Sequence, residues 1–557
     1  MNRDRQAPSK RRGRRTDLKV RKEINDLVSP DPNRRDLLIE YLHIIQDKYG
    51  CIDSKQIGAL ANLMKLSMSE VFEVATFYHH FTVVEDRALK ATKKSIKICD
   101  SITCELFGSE QLIDAIKDKN VQINLSIQRV SCVGRCDGAP VAIYGQNDIE
   151  HASVEKINEA IESNFVVPNQ PKCLSFQEYC NTNGYSIYKE CLDGSRSIEE
   201  IIKKLSRSNL RGLGGAGFPT AKKWEIVRQQ AAPRVLVVNI DEGEPGTFKD
   251  RFFLEKDPHR FLEGMLIAAW AISAQNCYIY LRDEYAGCRL TLQREINLLV
   301  KNRTFFVPKI ELRRGAGAYI CGEESALLES LEGKRGMPRH RPPYIAEKGL
   351  FGNPTLAHNM ETLYWIREII EKSADWFASQ GQKGRKGLRS YSVSGRVRKP
   401  GVYIAPAGTT AKELIENYCG GMLEGHTFYG YFPGGASGGI LPASKADLPL
   451  DFDSLEGTGC FIGSAAIIVL SSIDQAKNSA VNAMKFFARE SCGQCTPCRV
   501  GTSKAVQLMS SENWKIGVLE DLATVMEDSS ICGLGQAASN PLRSVLKYFK
   551  REIRDAR

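Results

Sequence analysis

The sequence predicts a multidomain α/β and α+β protein. In order it reads as a helical bundle, a compact α/β domain, a larger α/β domain, a small glycine-rich α+β domain and a helical C-terminal domain. Three observations predict this. Hydrophobic periodicity changes along the chain from helical spacing to strand alternation and back. Eight of the seventeen cysteines gather in two tight sets. The 557 residues suffice for three or four cores at about 150 residues per domain. Composition is that of an ordinary globular protein, 42% hydrophobic and 25% charged, which excludes wholesale disorder and fibrous repeats. The longest nearly uncharged apolar run, Cys460 to Ile473, is too short to span a bilayer.

The net charge of +10 sits almost wholly at the N-terminus: residues 1–22 hold ten Lys/Arg against Asp4 and Asp17. The remainder is nearly neutral, so nucleic acid is not expected as a partner. Residues 1–29 read as a basic, flexible arm, with no apolar segment behind it to make a secretory signal. An odd number of cysteines without an export signal points to a reducing, cytoplasmic setting.

Residues 30–92 read as the helical bundle. Leu37, Leu38, Tyr41, Leu42 and Ile45 share one face of a helix over 35–48, and Ser67 with Glu70 forms a capping box ahead of Val71, Val74, Phe77 and Tyr78. Residues 93–165 read as the compact α/β domain, with strands at 96–98, 123–130 and 141–144 and a helix over 110–118. A linker follows at 164–172. The larger α/β domain, 175–387, has helices at 198–205, 221–230 and 260–273 and buried strands at 235–238 and 278–281. Residues 388–475 form the small α+β domain, and 476–557 are helical, broken at 491–498.

The first cysteine set is Cys99 and Cys104, then Cys132 and Cys136, each pair following a strand. Four thiolates on two loops suit a two-iron cluster, and Gly134 lets the second loop bend. A structural zinc site remains open; a thioredoxin-type pair requires C-x-x-C, absent from this set. With Glu73-Val-Ala-Thr-Phe-Tyr78 and Cys136-Asp-Gly-Ala-Pro140, the pattern resembles the 24-kDa-type subunit of respiratory complex I. The resemblance implies a thioredoxin-like 2Fe–2S ferredoxin domain behind a helical bundle.

Gly212-Leu-Gly-Gly-Ala-Gly217 matches G-x-G-x-x-G, yet a helix rather than a strand precedes it, which disfavours a Rossmann site. The glycines still permit close approach of backbone to a ligand, and the helix after them offers N-terminal amides to a phosphate. Asn239 to Arg251 places four acids and two glycines after a buried strand, where α/β sheets present ligand groups. Gly315 to Ser325, Glu332 to Gly336 and Arg341 to Tyr344 continue the pattern.

Together these stretches resemble the 51-kDa-type flavin subunit of complex I across 175–557. The resemblance implies an FMN- and NAD-binding domain. FMN would lie against Gly212, Gly214, Gly215 and Gly217, with Lys223, Asn239, Asp241, Glu242, Tyr319, Gly322, Glu323, Glu324 and Asn359. The nicotinamide nucleotide would stack on Phe218 and Tyr344, with Glu244 and Arg341 nearby. Glu244 and Glu324 are expected at the reacting centre as binding and electrostatic groups, not proton donors. Tyr344 and Arg341 stand where the family commonly has Phe and Lys, Ile226 where some relatives carry an aromatic, and His358 replaces an Asn.

Cys492, Cys495 and Cys498 form C-x2-C-x2-C, and Cys532 lies 34 positions further on. Three close cysteines and one distant one suit a single 4Fe–4S cubane, with zinc as the alternative. The same spacing occurs in the complex I-type flavin subunits, whose β-grasp (SLBB-like) domain the 388–475 segment resembles.

NAD exchanges two electrons and these clusters one, so a flavin between them makes the chain a diaphorase. Fusion of both modules resembles the β subunits of soluble NAD-dependent molybdenum or tungsten formate dehydrogenases. The segments Arg35–Asp47 and Phe432–Pro442 look most like those subunits, and the complete first cysteine set agrees. The implied partner is a large subunit with a metal–pterin centre and further iron–sulfur clusters; no membrane partner is expected. Alternatives are the flavin subunit of an NAD-reducing hydrogenase, a fused complex I input module and, in a different class, a non-catalytic nucleotide-binding relative.

Overall fold

The computed structural model describes residues 17–28, 31, 33–86, 94–119 and 125–555. These residues form two compact units, one made of those up to 86 with 330–335, the other of those from 94 to 329 with 336–555.

Among the described residues the first unit holds four α-helices, α1 (Leu18–Val28), α2 (Leu38–Tyr49), α3 (Ser54–Met64) and α4 (Met68–Phe77), and a short parallel pair, β1 (Ile52–Asp53) with β2 (Val83–Val84). The expected capping box starts α4: Ser67 N–H donates to Glu70 at 3.0 Å and Glu70 N–H to Ser67 Oγ at 3.2 Å. The sequence reading of 1–29 as a flexible arm is corrected over its second half. Residues 18–28 form α1, which buries Ile24 and Val28 and packs on α3. Val20, Ile24, Leu27 and Val28 make an inward stripe that the surrounding charges hide. The first sixteen residues of that arm lie outside the described residues. The Tyr78 hydroxyl bonds Ser330 Oγ at 2.9 Å and the Lys334 carbonyl at 2.8 Å.

In the second unit, β3 (Lys94–Cys99), α5 (Ile102–Leu106), α6 (Ser109–Lys119), β4 (Leu125–Val130), β5 (Ala142–Tyr144), β6 (Asn147–Ile149) and α7 (Val154–Glu162) form the first domain. Its mixed sheet runs β4-β3-β5-β6, and α6 and α7 cover Ile96, Ile98, Ala142 and Tyr144. Residues 123 and 124 of the expected strand lie outside the described residues.

The next domain contains α8 (Phe176–Asn181), α9 (Ser186–Leu192), α10 (Ile198–Ser208), α11 (Thr220–Arg228), β7 (Val235–Ile240), α12 (Lys249–Lys256), α13 (Pro258–Ala271), β8 (Asn276–Leu281), α14 (Ala286–Asn302), β9 (Lys309–Arg314), α15 (Glu324–Leu331), β10 (Thr355–Asn359), α16 (Met360–Lys372) and α17 (Ala374–Ser379). Its four strands are all parallel in the order β10-β7-β8-β9. The chain runs from β7 outward to β9 and then returns to the opposite side of β7, so a topological switch point lies between β7 and β10. That is where open parallel sheets bind ligands.

The third domain has β11 (Leu388–Gly395), β12 (Gly401–Pro406), α18 (Ala411–Glu413) running into a π-turn, β13 (Phe428–Phe432), β14 (Leu441–Pro442) and β15 (Ala466–Ser471), in the sheet order β12-β11-β15-β13-β14. Its inner face joins the core of the larger α/β domain through Tyr391, Val393, Ile467 and Val469. The C-terminal domain follows: α19 (Ala476–Glu490), α20 (Thr496–Met509), α21 (Ile516–Ser529), α22 (Gly533–Ala537) and α23 (Asn540–Tyr548). Ile468 and Leu470 on the other face of β15 pack into its core, so one strand glues two domains through alternate side chains. Among the described residues no helix is long and apolar enough to cross a membrane.

Candidate functional site

A cavity of about 320 Å³ opens at the switch point. The carboxyl end of β7 contributes Asn239, Asp241, Glu242, Gly243 and Glu244, and the end of β10 contributes Asn359. The glycine loop between α10 and α11 contributes Gly214 and Gly215, and the turn before α15 contributes Tyr319, Gly322 and Glu323. Gly214 lies so near Asn359 that a Cβ would sit 3.0 Å from the Asn359 Cβ. The preceding element is indeed a helix, α10, so the loop is not of the strand–loop–helix type.

Hydrogen bonds fix this wall. Asn239 Nδ2 donates to the Gly322 carbonyl at 3.0 Å, and its Oδ1 accepts from Asp241 N–H at 2.9 Å. Lys249 Nζ reaches Asp250 at 2.8 Å, Glu361 at 3.0 Å and Asn359 Oδ1 at 3.3 Å. Burial opposes the Lys249 charge, but Asp250 and Glu361 outweigh it and raise the pKa. Burial pushes the Asp241 carboxyl well up, and its Oδ2 has no hydrogen-bond partner in the protein. Burial likewise raises Glu244, whose carboxylate accepts from the Ser437 N–H at 2.7 Å and from the Tyr319 hydroxyl. Glu242 is raised to about 7, chiefly by burial. Its oxygens are occupied by Asp250 N–H, Arg251 N–H and the Tyr285 hydroxyl, so its carboxylate braces the loop.

A second group lies at the rim. Lys223 pairs with Glu324 at 3.1 Å, and Arg341 pairs with Glu323 and, at 3.2 Å, with Glu324. Glu323 belongs to both groups. Phe218 and Tyr344 do not line the cavity; they are 43% and 54% exposed. Gly212 N–H donates to the Phe218 carbonyl at 2.8 Å and closes the loop. Gly217 has φ +65°, and a Cβ there would meet the Phe452 ring at 2.7 Å. Both glycines shape the loop rather than line the cavity.

Cys492, Cys495, Cys498 and Cys532 line a neighbouring pocket with Ile320, Phe487, Ile531 and Ala538. Tyr319 and Leu534 line both cavities, so a single layer of side chains separates them. The other four cysteines also converge. All are buried and free, Cys132 and Cys136 Sγ are 3.4 Å apart, and Cys99 contacts Cys104 and Cys132. Gly134 takes φ +72° as expected, and Tyr285 fills the space a side chain would need. Two buried arginines tie this loop to the first cavity. Arg282 donates to the Cys132 carbonyl at 2.7 Å and to the Glu242 carbonyl; Arg251 donates to the Gly134 carbonyl at 2.9 Å and to Asp137 at 2.6 Å.

Sequence reasoning missed the remaining lining. Thr247, Lys249 and Asp250 stand inside the acidic stretch it singled out, but Ser437, Phe461, Gly463 and Ser464 come from the third domain, and Gly533, Leu534 and Ala537 from the C-terminal domain. The substituted His358 does not line the cavity. It is buried and accepts from Trp224 Nε1 at 2.9 Å, and burial holds its pKa well below the usual value.

These residues fit the groups the chemistry implies. A cavity of this size with an unpaired Asp241 oxygen suits a hydroxyl-bearing ligand. Four free thiols on an otherwise mostly apolar wall, twice over, suit iron–sulfur clusters. Residues 24–164 match the thioredoxin-like 2Fe-2S ferredoxin family, 205–368 the Nuo51 FMN-binding domain, 390–441 the SLBB domain and 478–556 the NADH-ubiquinone oxidoreductase-F iron-sulfur binding region. The chain is therefore an NAD-dependent flavin and iron–sulfur oxidoreductase subunit, carrying an FMN-binding domain and sites for one 2Fe–2S and one 4Fe–4S cluster.

Among relatives, the F-2 subunit of the NADH-quinone oxidoreductase of Rhizobium meliloti (strain 1021) is 40% identical over 385 residues, 66% of this chain and 91% of the relative. The F subunit of the NADH-quinone oxidoreductase of Aquifex aeolicus (strain VF5) is 40% identical over 399 residues, 69% and 91%. The chain belongs to the family of NADH-quinone oxidoreductase F subunits, with a 2Fe–2S ferredoxin domain fused ahead of it. A chain of an NAD+-reducing NiFe hydrogenase in the H2-reduced state superposes with TM-score 0.82 at 29% identity, covering 93% of each chain.

Proposed function

We propose that the chain is the diaphorase subunit of a soluble NAD-dependent formate dehydrogenase, passing electrons from formate oxidised on a partner subunit to NAD+. The observation that carries the diaphorase reading is the shared wall: Tyr319 and Leu534 face both the flavin-type cavity and the pocket of Cys492, Cys495, Cys498 and Cys532. FMN, when bound, accepts or gives a hydride on one side and single electrons on the other. Asn239, Asp241, Glu323 and Asn359 would hold it, Glu244 would help orient the nucleotide against it, and Phe461 with Gly463 would help exclude water. Phe218, Tyr344, Arg341 and Glu324 form the nucleotide's outer seat.

What supports the formate partner is resemblance alone: the segments Arg35–Asp47 and Phe432–Pro442 look most like formate dehydrogenase β subunits, and the complete first cysteine set agrees. The partner carries the metal–pterin centre, and the assembly works in the cytoplasm. Hydrogen is the second reading, favoured by the likeness to a hydrogenase chain over 93% of the sequence. The test has two arms. Protein loaded with FMN and both clusters should bleach with NADH and reduce ferricyanide; uptake of flavin without reduction of any acceptor refutes the diaphorase. Affinity purification from the native source should bring down a large subunit containing molybdenum or tungsten with pterin. Nickel in that subunit selects hydrogen, and membrane subunits select the quinone reductase.

A further inference from the structure

Helix α19 ends on Arg489 and Glu490, two residues before Cys492. Both side chains turn back onto the first domain. Arg489 makes a bidentate pair with Asp100 at 2.8 and 2.7 Å, and Asp100 follows Cys99. Glu490 Oε1 accepts from Ser131 Oγ at 2.6 Å, and Ser131 precedes Cys132. Roughly two turns earlier, Asn482 Nδ2 donates to the Asp100 carbonyl at 2.8 Å. Both cysteine loops of the first set are thus held by the residues that lead into the second set.

Glu490 does more. Its second oxygen, Oε2, accepts from the backbone N–H of Tyr319 at 3.1 Å, and Tyr319 lines the flavin-type cavity and bonds Glu244 through its hydroxyl. Glu490 itself lines the pocket of the second cysteine set. An acid on the last turn of a helix is disfavoured by the helix dipole, so its place there is maintained by the contacts it makes. No other carboxylate described above reaches all three sites.

We propose that Glu490 is a three-way positioning residue: one carboxylate fixes the 2Fe–2S loop through Ser131, the flavin site through Tyr319 and the 4Fe–4S loop through its own chain. The inference rests on the two clusters and the flavin assigned above; their wild-type signals are the control for that reading.

The test is a redox titration, followed by electron paramagnetic resonance, of the full chain loaded with FMN and both clusters. Hydrogen bonds and charge near the sulfurs set cluster potentials and signal shape. Ser131→Ala should shift the midpoint or g-values of the 2Fe–2S signal. Glu490→Ala should shift both clusters and slow transfer from reduced flavin to the 2Fe–2S site in rapid mixing. Glu490→Gln can still accept from Tyr319 N–H and donate to the Ser131 oxygen, and should return all three readouts close to wild type. The proposal is overturned if Glu490→Ala changes the 4Fe–4S signal alone. It is equally overturned if Glu490→Gln matches Glu490→Ala, or if Ser131→Ala leaves the 2Fe–2S signal unchanged. Should Glu490→Ala not fold, the Ser131→Ala titration decides the 2Fe–2S arm and Glu490→Gln the rest.

Discussion

The Glu244 carboxylate accepts a hydrogen bond from the backbone N–H of Ser437, a residue of a different domain, at 2.7 Å. Gly435 makes this approach possible: its φ is +74°, and a Cβ there would lie 2.6 Å from Glu244 Cγ. The third domain is therefore part of the flavin-type site, because it holds the acid that faces the cavity.

Glu244→Ala is expected to leave the Ser437 N–H and the Tyr319 hydroxyl without their buried acceptor. An orphaned buried donor costs about 1–3 kcal/mol, which corresponds to roughly fivefold to a hundredfold in turnover or occupancy. NADH:ferricyanide activity and retained flavin, measured on gel-filtered protein, should both fall. Glu244→Gln keeps an acceptor and should lose less; equal losses in the two variants would point to charge instead.

Gly217→Ala should destabilise the chain without touching the cavity. The residue sits at φ +65° with Phe452 where the methyl would go, and a non-glycine residue in that region costs about 1–3 kcal/mol before any clash. A lowered melting temperature with near-normal flavin absorbance per folded protein is the expected outcome. Gly214→Ala should do the reverse, since its methyl meets Asn359 at the cavity wall.

Much of this was legible in the sequence for physical reasons. The apolar spacing of Leu38, Tyr41, Leu42 and Ile45 names a helix, and the alternation at Ile96 and Ile98 a strand. Cysteine spacing names cluster loops because a cluster imposes it. Ten of the expected flavin or nucleotide residues line one cavity, among them Gly214, Asn239, Asp241, Tyr319 and Asn359. What was illegible depends on distance along the chain. Ser437, Phe461 and Ser464 carry no local signal for a site built on β7 and β10. Glu242 reads as a ligand group and does line the cavity, but the three donors that also hold its oxygens come together only in space. Helix α1 was hidden because four inward residues are interleaved with lysines, arginines and acids.

Iron analysis separates the two cluster sites. With one 2Fe–2S and one 4Fe–4S cluster, fully loaded protein should contain about six iron atoms per chain. Cys132→Ser should leave about four and abolish the 2Fe–2S resonance, while Cys498→Ser should leave about two. Stoichiometric zinc in place of iron in either variant would contradict the assignment of the remaining site.

The buried His259 gives the larger α/β domain a dependence on pH. Its Nδ1 lies 2.7 Å from the Tyr185 hydroxyl and its Nε2 3.0 Å from Glu295, which fits the neutral ring donating through Nε2. Burial lowers its pKa, against the pull of Glu295. Below the unfolded value of about 6.5 the unfolded chain takes up a proton that the folded chain refuses, so acid favours unfolding. This contribution is complete above about pH 6.5 and is lost progressively below it. Glu295 is held down by His259 and Arg294 despite burial, so its own loss falls at lower pH, beneath the usual carboxylate value. Thermal melts between neutral and mildly acidic pH should therefore show wild type losing stability faster than His259→Gln. Parallel curves for the two proteins across that window would mean that His259 takes up its proton as readily in the folded domain as in the unfolded chain.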